Sequence, residues 1–250
     1  MGVTRSFAGP LRISDLLAIE AAEGRIPSTE ELIDIAIGWS QPMLLTRPEL
    51  FSFFERSLAP ALERAGRGQA FIEVVKQVLE RLPEKLYRPV TDIALPLSFR
   101  SKVSSYFDVP RDYAKEALKD LLRWRGIALR ESTGQPFLVG LNPKLMTPVT
   151  PVHEMMHYYA TPEAIPLGVR QALENAYRKL TYNQLRLLER ETGMSLHDPY
   201  ELMAELAGQV LAAPSALEKW RWLKYIKYLP SEYQNWLRDI LTELGENIEL

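Results

Sequence analysis

The chain has 250 residues, 46% of them apolar, 25% charged and 10% aromatic, a composition that excludes wholesale disorder and supplies a sizeable core. Its 30 Lys and Arg against 32 Asp and Glu give a net charge of −2, so no global field grips nucleic acid or anionic lipid and any polyanion contact must be local. Without cysteine, disulfides, thiolate metal ligands and a cysteine nucleophile are excluded together, and a zinc site must use His and carboxylate.

No apolar run of signal-peptide length opens the chain, and none approaches the roughly 18 residues that span a bilayer. A cytoplasmic protein with no membrane partner is therefore expected. Gly2 to Ser6 fits the loose N-myristoylation pattern. Ser28 with Glu31 forms a capping-box signature before ELIDIAIGW, and Phe71, Val74, Val75, Val78, Leu79 and Leu82 fall on one helical stripe. Pro83 and Pro89 then punctuate the chain, and TDIALPLSF marks a boundary near residue 95. Residues 1–95 thus read as a helical N-terminal domain, suited to a pro-segment, a partner platform or a substrate selector.

Residues 96–250 read as a second domain. Ala114, Ala117, Leu118, Leu121 and Leu122 recur with helical period up to Arg125 and Gly126. IALRE and PFLVGL, separated by the turn-prone STGQ, predict a hairpin or two neighbouring strands. Helices are predicted from 151 to 160, from 169 to 190 and from 199 to 213, then two more interrupted at Pro230. The fold class is mainly α, an α+β arrangement with a small sheet.

Two of the three histidines stand in His153-Glu154-Met155-Met156-His157, an H-E-x-x-H sequence whose chance occurrence at this histidine content is below about 1%. Thr150 as cap and Pro151 in the first turn predict a helix, on which an i, i+4 spacing sets both imidazoles on one face, one turn apart. Neutral imidazoles at that spacing suit a zinc ion, and Glu154 is placed to take a proton from water during attack on a carbonyl.

Two imidazoles need a third ligand, and the candidates are Glu174, His197, Glu201 and Glu205. On a helix from Pro199, the residues Leu202, Met203, Leu206, Ala207 and Val210 form one apolar face. Glu201 and Glu205 lie opposite, among Ala204, Gly208 and Ala212, with no Lys or Arg before Lys219. Small residues admit another helix, and the carboxylates so buried need a cation or donors. Glu201 is preferred as ligand, with Glu205 one turn later accepting the outward N–H of a ligating histidine. Against this, Asp198, Pro199 and Glu201 also spell a capping box. Glu174 has Arg178 and Lys179 one turn on, which suggests a salt-bridged surface. His197 is a candidate catalytic donor to an oxyanion, and Tyr158, Tyr159 and Tyr200 are alternative phenolic donors.

H-E-x-x-H followed by Glu201-x-x-Ala204-Glu205 and by Pro214 resembles the gluzincin zinc metallopeptidases, most closely the ImmA/IrrE-like group. The resemblance covers about residues 110 to 215. It implies a zincin-like domain that hydrolyses protein or peptide substrates, with Zn2+ on His153, His157 and Glu201, and Glu154 as general base. FLVGLNP is similar to the edge strand that aligns substrate in that group. Glu205 in place of the group's Asn, and a longer gap between His157 and Glu201, depart from its pattern.

A second function class is also written in the chain. Residues 98–141 read as a winged helix-turn-helix with a turn at Asp108 to Pro110, in which Arg111, Lys115, Lys119, Arg123 and Arg125 would contact phosphates. A DNA-binding regulator with a structural or inactive zinc site is the alternative. KWRWLKYIKYLPSEYQNWLR mixes bases with aromatics, as do surfaces that stack single-stranded nucleic acid, although such stripes more often pack their rings inward.

Overall fold

The structure is a computed structural model that describes residues 45–107, 109–131 and 136–246, with the backbone alone for Arg111. The myristoylation pattern, the Ser28–Glu31 box and the STGQ turn lie outside the described residues. Those described are mainly helical around a small sheet, and none of their helices is long and apolar enough to cross a membrane.

From the N-terminal side, α1 (Arg47–Phe53) runs through a π turn (Phe54–Leu58) into α2 (Ala59–Arg64). The predicted stripe forms α3 (Gln69–Arg81), which buries Ile72, Val75, Val78 and Leu79, and α4 (Glu84–Tyr87) follows Pro83. TDIALPLSF holds β1 (Asp92–Ala94) and the start of α5 (Pro96–Tyr106). α6 (Arg111–Arg123), β2 (Gly126–Arg130) and β3 (Phe137–Leu141) complete this stretch.

The sheet order is β1-β3-β2. β1 runs parallel to β3, pairing Ile93 with Val139, and β2 runs antiparallel, pairing Ala128 with Val139. β3 is buried at all five positions, as an uninterrupted apolar run must be when both faces are covered. FLVGL is therefore the central strand and not the edge strand that its resemblance implied: β1 and β2 occupy both of its hydrogen-bonding sides. The edge beside the motif helix is β2. Gly140 is required on β3, since a Cβ there would come within 2.6 Å of the Phe99 ring and 2.8 Å of Ile127.

The boundary expected near residue 95 falls just after β1. Side chains from Leu45 to Leu95 share one continuous core with those from Phe137 to Leu244, and a second cluster joins α5 and α6 to the outer face of the sheet through Phe99, Leu121 and Leu138. The motif helix is α7 (Thr150–Met156). The long helix expected from 169 to 190 is instead two, α8 (Leu167–Arg178) and α9 (Tyr182–Thr192), because Thr181 and Gln184 form a reciprocal capping box that starts a new helix. α10 (Pro199–Leu211), α11 (Ala216–Ile226) and α12 (Ser231–Glu243) finish the fold, with Pro230 between the last two as expected.

Candidate metal centre

α7 begins one residue earlier than a Thr150 cap requires. Val149 is its N-cap, Pro151 lies in the first turn, and Thr150 Oγ1 accepts the backbone N–H of Thr147 at 2.9 Å. His157 is the C-cap with right-handed helical backbone angles, so the helical register persists through both histidines. Their rings meet edge to face, with the two Nε2 atoms 3.2 Å apart.

α10 lies directly on α7. A Cβ at Gly208 would sit 3.3 Å from Val149 and 3.4 Å from the backbone N and Cα of His153, so the small-residue face of α10 is the face that receives the motif helix. Asp198 caps α10, its Oδ1 accepting the N–H groups of Tyr200 at 2.7 Å and Glu201 at 2.9 Å. The Glu201 side chain takes no part in that cap. It turns toward the imidazoles, with Oε2 3.3 Å from His153 Nε2 and Oε1 3.6 Å from His157 Nε2.

One turn on, the buried carboxylate of Glu205 lies 2.8 Å from His153 Nδ1 and accepts a hydrogen bond from Gln209 at 2.7 Å. A carboxylate at Nδ1 holds a proton there and leaves Nε2 as the ring atom that faces His157 and Glu201. Glu154 is buried on the sheet side of α7. Its carboxyl group rests against Gly126 of β2, where a Cβ would come within 2.6 Å of Oε1.

Ligand atoms of His153, Glu154 and His157 all lie within 4.8 Å of one another, and the group can hold a metal ion. Donors bonded at about 2.0–2.1 Å around a tetrahedral ion stand about 3.3–3.4 Å apart. His153 Nε2 and His157 Nε2 stand 3.2 Å apart, and one Glu201 oxygen lies 3.3 Å from the first and the other 3.6 Å from the second, distances close to that spacing, so the residues present fit a divalent cation.

The electrostatics point the same way. Burial pushes the Glu154 carboxyl up to about 8, and the charges of Glu201 and Glu205 add to that effect. Burial and the neighbouring His153 charge push His157 down to about 4. Burial alone would lower His153, but its hydrogen bonds to Glu201 and Glu205 override it and raise the ring to about 10. Burial likewise raises Glu201, and the hydrogen bond from His153 with the charges of both histidines reverses this, leaving it lowered. Three acidic side chains thus crowd one poorly hydrated space, where each resists the ionisation of the others, and a cation would offset that repulsion.

The other candidates lie apart from this cluster. Glu174 accepts the Tyr200 hydroxyl at 2.6 Å, which also commits that phenol. His197 is exposed, with Nε2 3.4 Å from Asp198 and Nδ1 3.3 Å from the Ser195 carbonyl, and reaches Glu201 only through its charge. Tyr159 donates to the Lys85 carbonyl, and the Tyr158 ring packs on Phe137.

Sequence reasoning missed Gly126, Gln209 and Arg130. Arg130, at the end of β2, donates to the Tyr158 carbonyl at 2.8 Å just past the motif, lies 3.6 Å from Glu163, and contributes to the lowering of His157. Gln209 is signalled only by its i+4 spacing from Glu205.

Within 98–141 the described residues form the helices α5 and α6 and the antiparallel strands β2 and β3. Of the five bases, Lys119 pairs with Glu116 at 2.6 Å, and Arg125 is committed to the carbonyls of Thr192 and Gly193 at the end of α9. The hairpin's second strand is the buried centre of the sheet. Compared with protein-family models, with curated proteins and with solved structures, the chain matches none.

Proposed function

We propose that the chain is a zinc metallopeptidase of gluzincin type that hydrolyses peptide bonds in protein or peptide substrates. The observation that carries this reading is the convergence of His153 Nε2 and His157 Nε2, 3.2 Å apart, on the Glu201 carboxylate, whose Oε2 lies 3.3 Å from the first and Oε1 3.6 Å from the second. His153, His157 and Glu201 would hold the ion, and Glu205 would fix the His153 ring through Nδ1. When bound, zinc supplies Lewis acidity toward water and the scissile carbonyl.

Glu154 follows the first ligand in sequence, and its carboxylate accepts the proton of the attacking water and passes it to the leaving amine. Gly126 makes room for that carboxylate at the sheet. Burial of His153, Glu154 and Glu205 keeps bulk water from competing for these atoms. β2, the sheet edge next to α7, is the strand on which an extended substrate would pair.

Metal analysis after saturation with zinc and dialysis tests the reading, together with peptide hydrolysis. One zinc per chain is expected in the wild type and in Glu154→Gln, with hydrolysis lost in the latter, and none is expected in His157→Ala. A wild-type chain that retains no zinc would sink the proposal.

A further inference from the structure

Away from the metal centre, the outer face of α11 carries an unusual combination of side chains. Leu217, Trp220, Arg221, Lys224, Lys227 and Tyr228 are exposed along it, while Trp222 and Ile226 are buried beneath. Leu217 and Tyr228 are each 71% exposed and Trp220 59%, so these are not the margins of core residues. The one acidic residue from Ala216 to Tyr228 is Glu218, in the first turn, against four bases, Lys219, Arg221, Lys224 and Lys227. Arg221 is paired with Glu191 and Glu218, and Lys219 with Glu246. Lys224 stands over the Trp220 ring, 5.6 Å from its centre, and neither Lys224 nor Lys227 has a carboxylate partner among the described residues. At the far end, Gln184 donates to the Tyr228 carbonyl at 3.2 Å, which brings up the start of α9 with Tyr182, itself 68% exposed.

We propose that this face docks on an anionic lipid surface. Leu and Trp on one side of a helix bury into the boundary between headgroups and acyl chains, and Lys stems lie along them with the ammonium groups at the phosphates. Tyr and Trp favour that depth because each has an apolar ring with a polar edge. The net charge of −2 gives the whole chain no attraction to such a surface. This local basic face therefore supplies it, in contrast to the expectation of no membrane partner. Single-stranded nucleic acid is the weaker fit: it is held in grooves that track its backbone and stacks on π faces, whereas this is one helix whose most exposed members include Leu217.

The test is flotation of the full chain with vesicles of phosphatidylcholine alone and of phosphatidylcholine mixed with phosphatidylglycerol. Binding is expected only with the mixed vesicles, and to weaken as salt is added. Lys224→Glu with Lys227→Glu is expected to reduce it by about tenfold or more, and Leu217→Gln with Trp220→Ser to reduce it even at low salt. These positions are exposed, and thermal melts that coincide with the wild type's assign the loss to the surface. The salt response of the wild-type chain is a readout that needs no variant. Failure to float with anionic vesicles at low salt overturns the proposal. So does equal binding to neutral vesicles, indifference to the lysine reversals, or retention of a single-stranded oligonucleotide in place of vesicles. A concentration-dependent dimer abolished by Trp220→Ser, without lipid binding, would assign the face to a second copy instead.

Discussion

Gly126 on β2 and Glu154 on α7 are in such close contact that no side chain fits between them: a Cβ at residue 126 would fall 2.6 Å from Oε1 and 2.7 Å from Cγ of Glu154. The end of the Glu side chain is flexible and yields before either backbone does. Gly126→Ala is therefore expected to displace the carboxylate and leave His153, His157 and Glu201 in place. Hydrolysis should fall by roughly 10- to 100-fold, with zinc content unchanged and a stability loss of about 1–3 kcal/mol at most. Parallel metal analysis and peptide assays check this, and loss of zinc together with activity would show that the glycine supports α7 as a whole.

Among the described residues, the Glu205 carboxylate is hydrogen-bonded to His153 Nδ1 and Gln209. Replacing it with Gln removes the charge that fixes the ring, and the affinity for zinc should fall by about 10- to 100-fold while binding persists. Competition against a chromophoric chelator measures this directly. Unchanged affinity would remove Glu205 from the metal's support.

In the metal-free protein, Glu154 has its pKa raised from the ordinary 4.5 to about 8 by burial. A raised carboxyl contributes stability that is complete below its unfolded value and is lost as pH climbs through the folded value. Wild-type stability should therefore decline between about pH 4.5 and 8, and Glu154→Gln, which cannot ionise, should not share that part of the slope. The variant's advantage is expected to be small near pH 5 and roughly 2–4 kcal/mol near pH 8. Urea unfolding at the two pH values in the presence of a chelator provides the check, and an advantage that shrinks with rising pH would contradict the assignment.

Arg125 lies between α6 and β2 but serves α9, donating to the carbonyls of Thr192 at 3.3 Å and Gly193 at 2.7 Å, where Gly193 adopts φ 65°. Arg125→Ala should destabilise the chain by about 1–3 kcal/mol, because two carbonyls at a helix end lose a charged donor. Denaturant titration measures it. A variant of unchanged stability with weakened duplex retention would instead favour the winged-helix reading of 98–141.

Much of the centre was legible because its determinants are local or periodic. An i, i+4 pair of histidines fixes its own geometry on any helix. The faces of α10 can be sorted because Ala204, Gly208 and Ala212 leave room that long side chains would fill, and His153 lies against Gly208. What escaped depends on partners distant in sequence. Three residues, Asp92 to Ala94, become β1 only because Leu138 to Gly140 lie beside them. FLVGL has the same apolar pattern at an edge or at the centre, and the neighbours decide. Gly126 has meaning only once Glu154 faces it. The division of α8 from α9 is local instead, since the Thr181-x-x-Gln184 box starts a new helix inside a stretch of continuous apolar periodicity.

Because both imidazoles belong to α7 and the third acid to α10, an ion shared among them would rivet two segments whose intervening chain makes a wide excursion through α8 and α9. That excursion becomes a closed ring when the centre is loaded. A single backbone cut within it would then leave two pieces still pinned at the same point, and removing the ion would take away that pin.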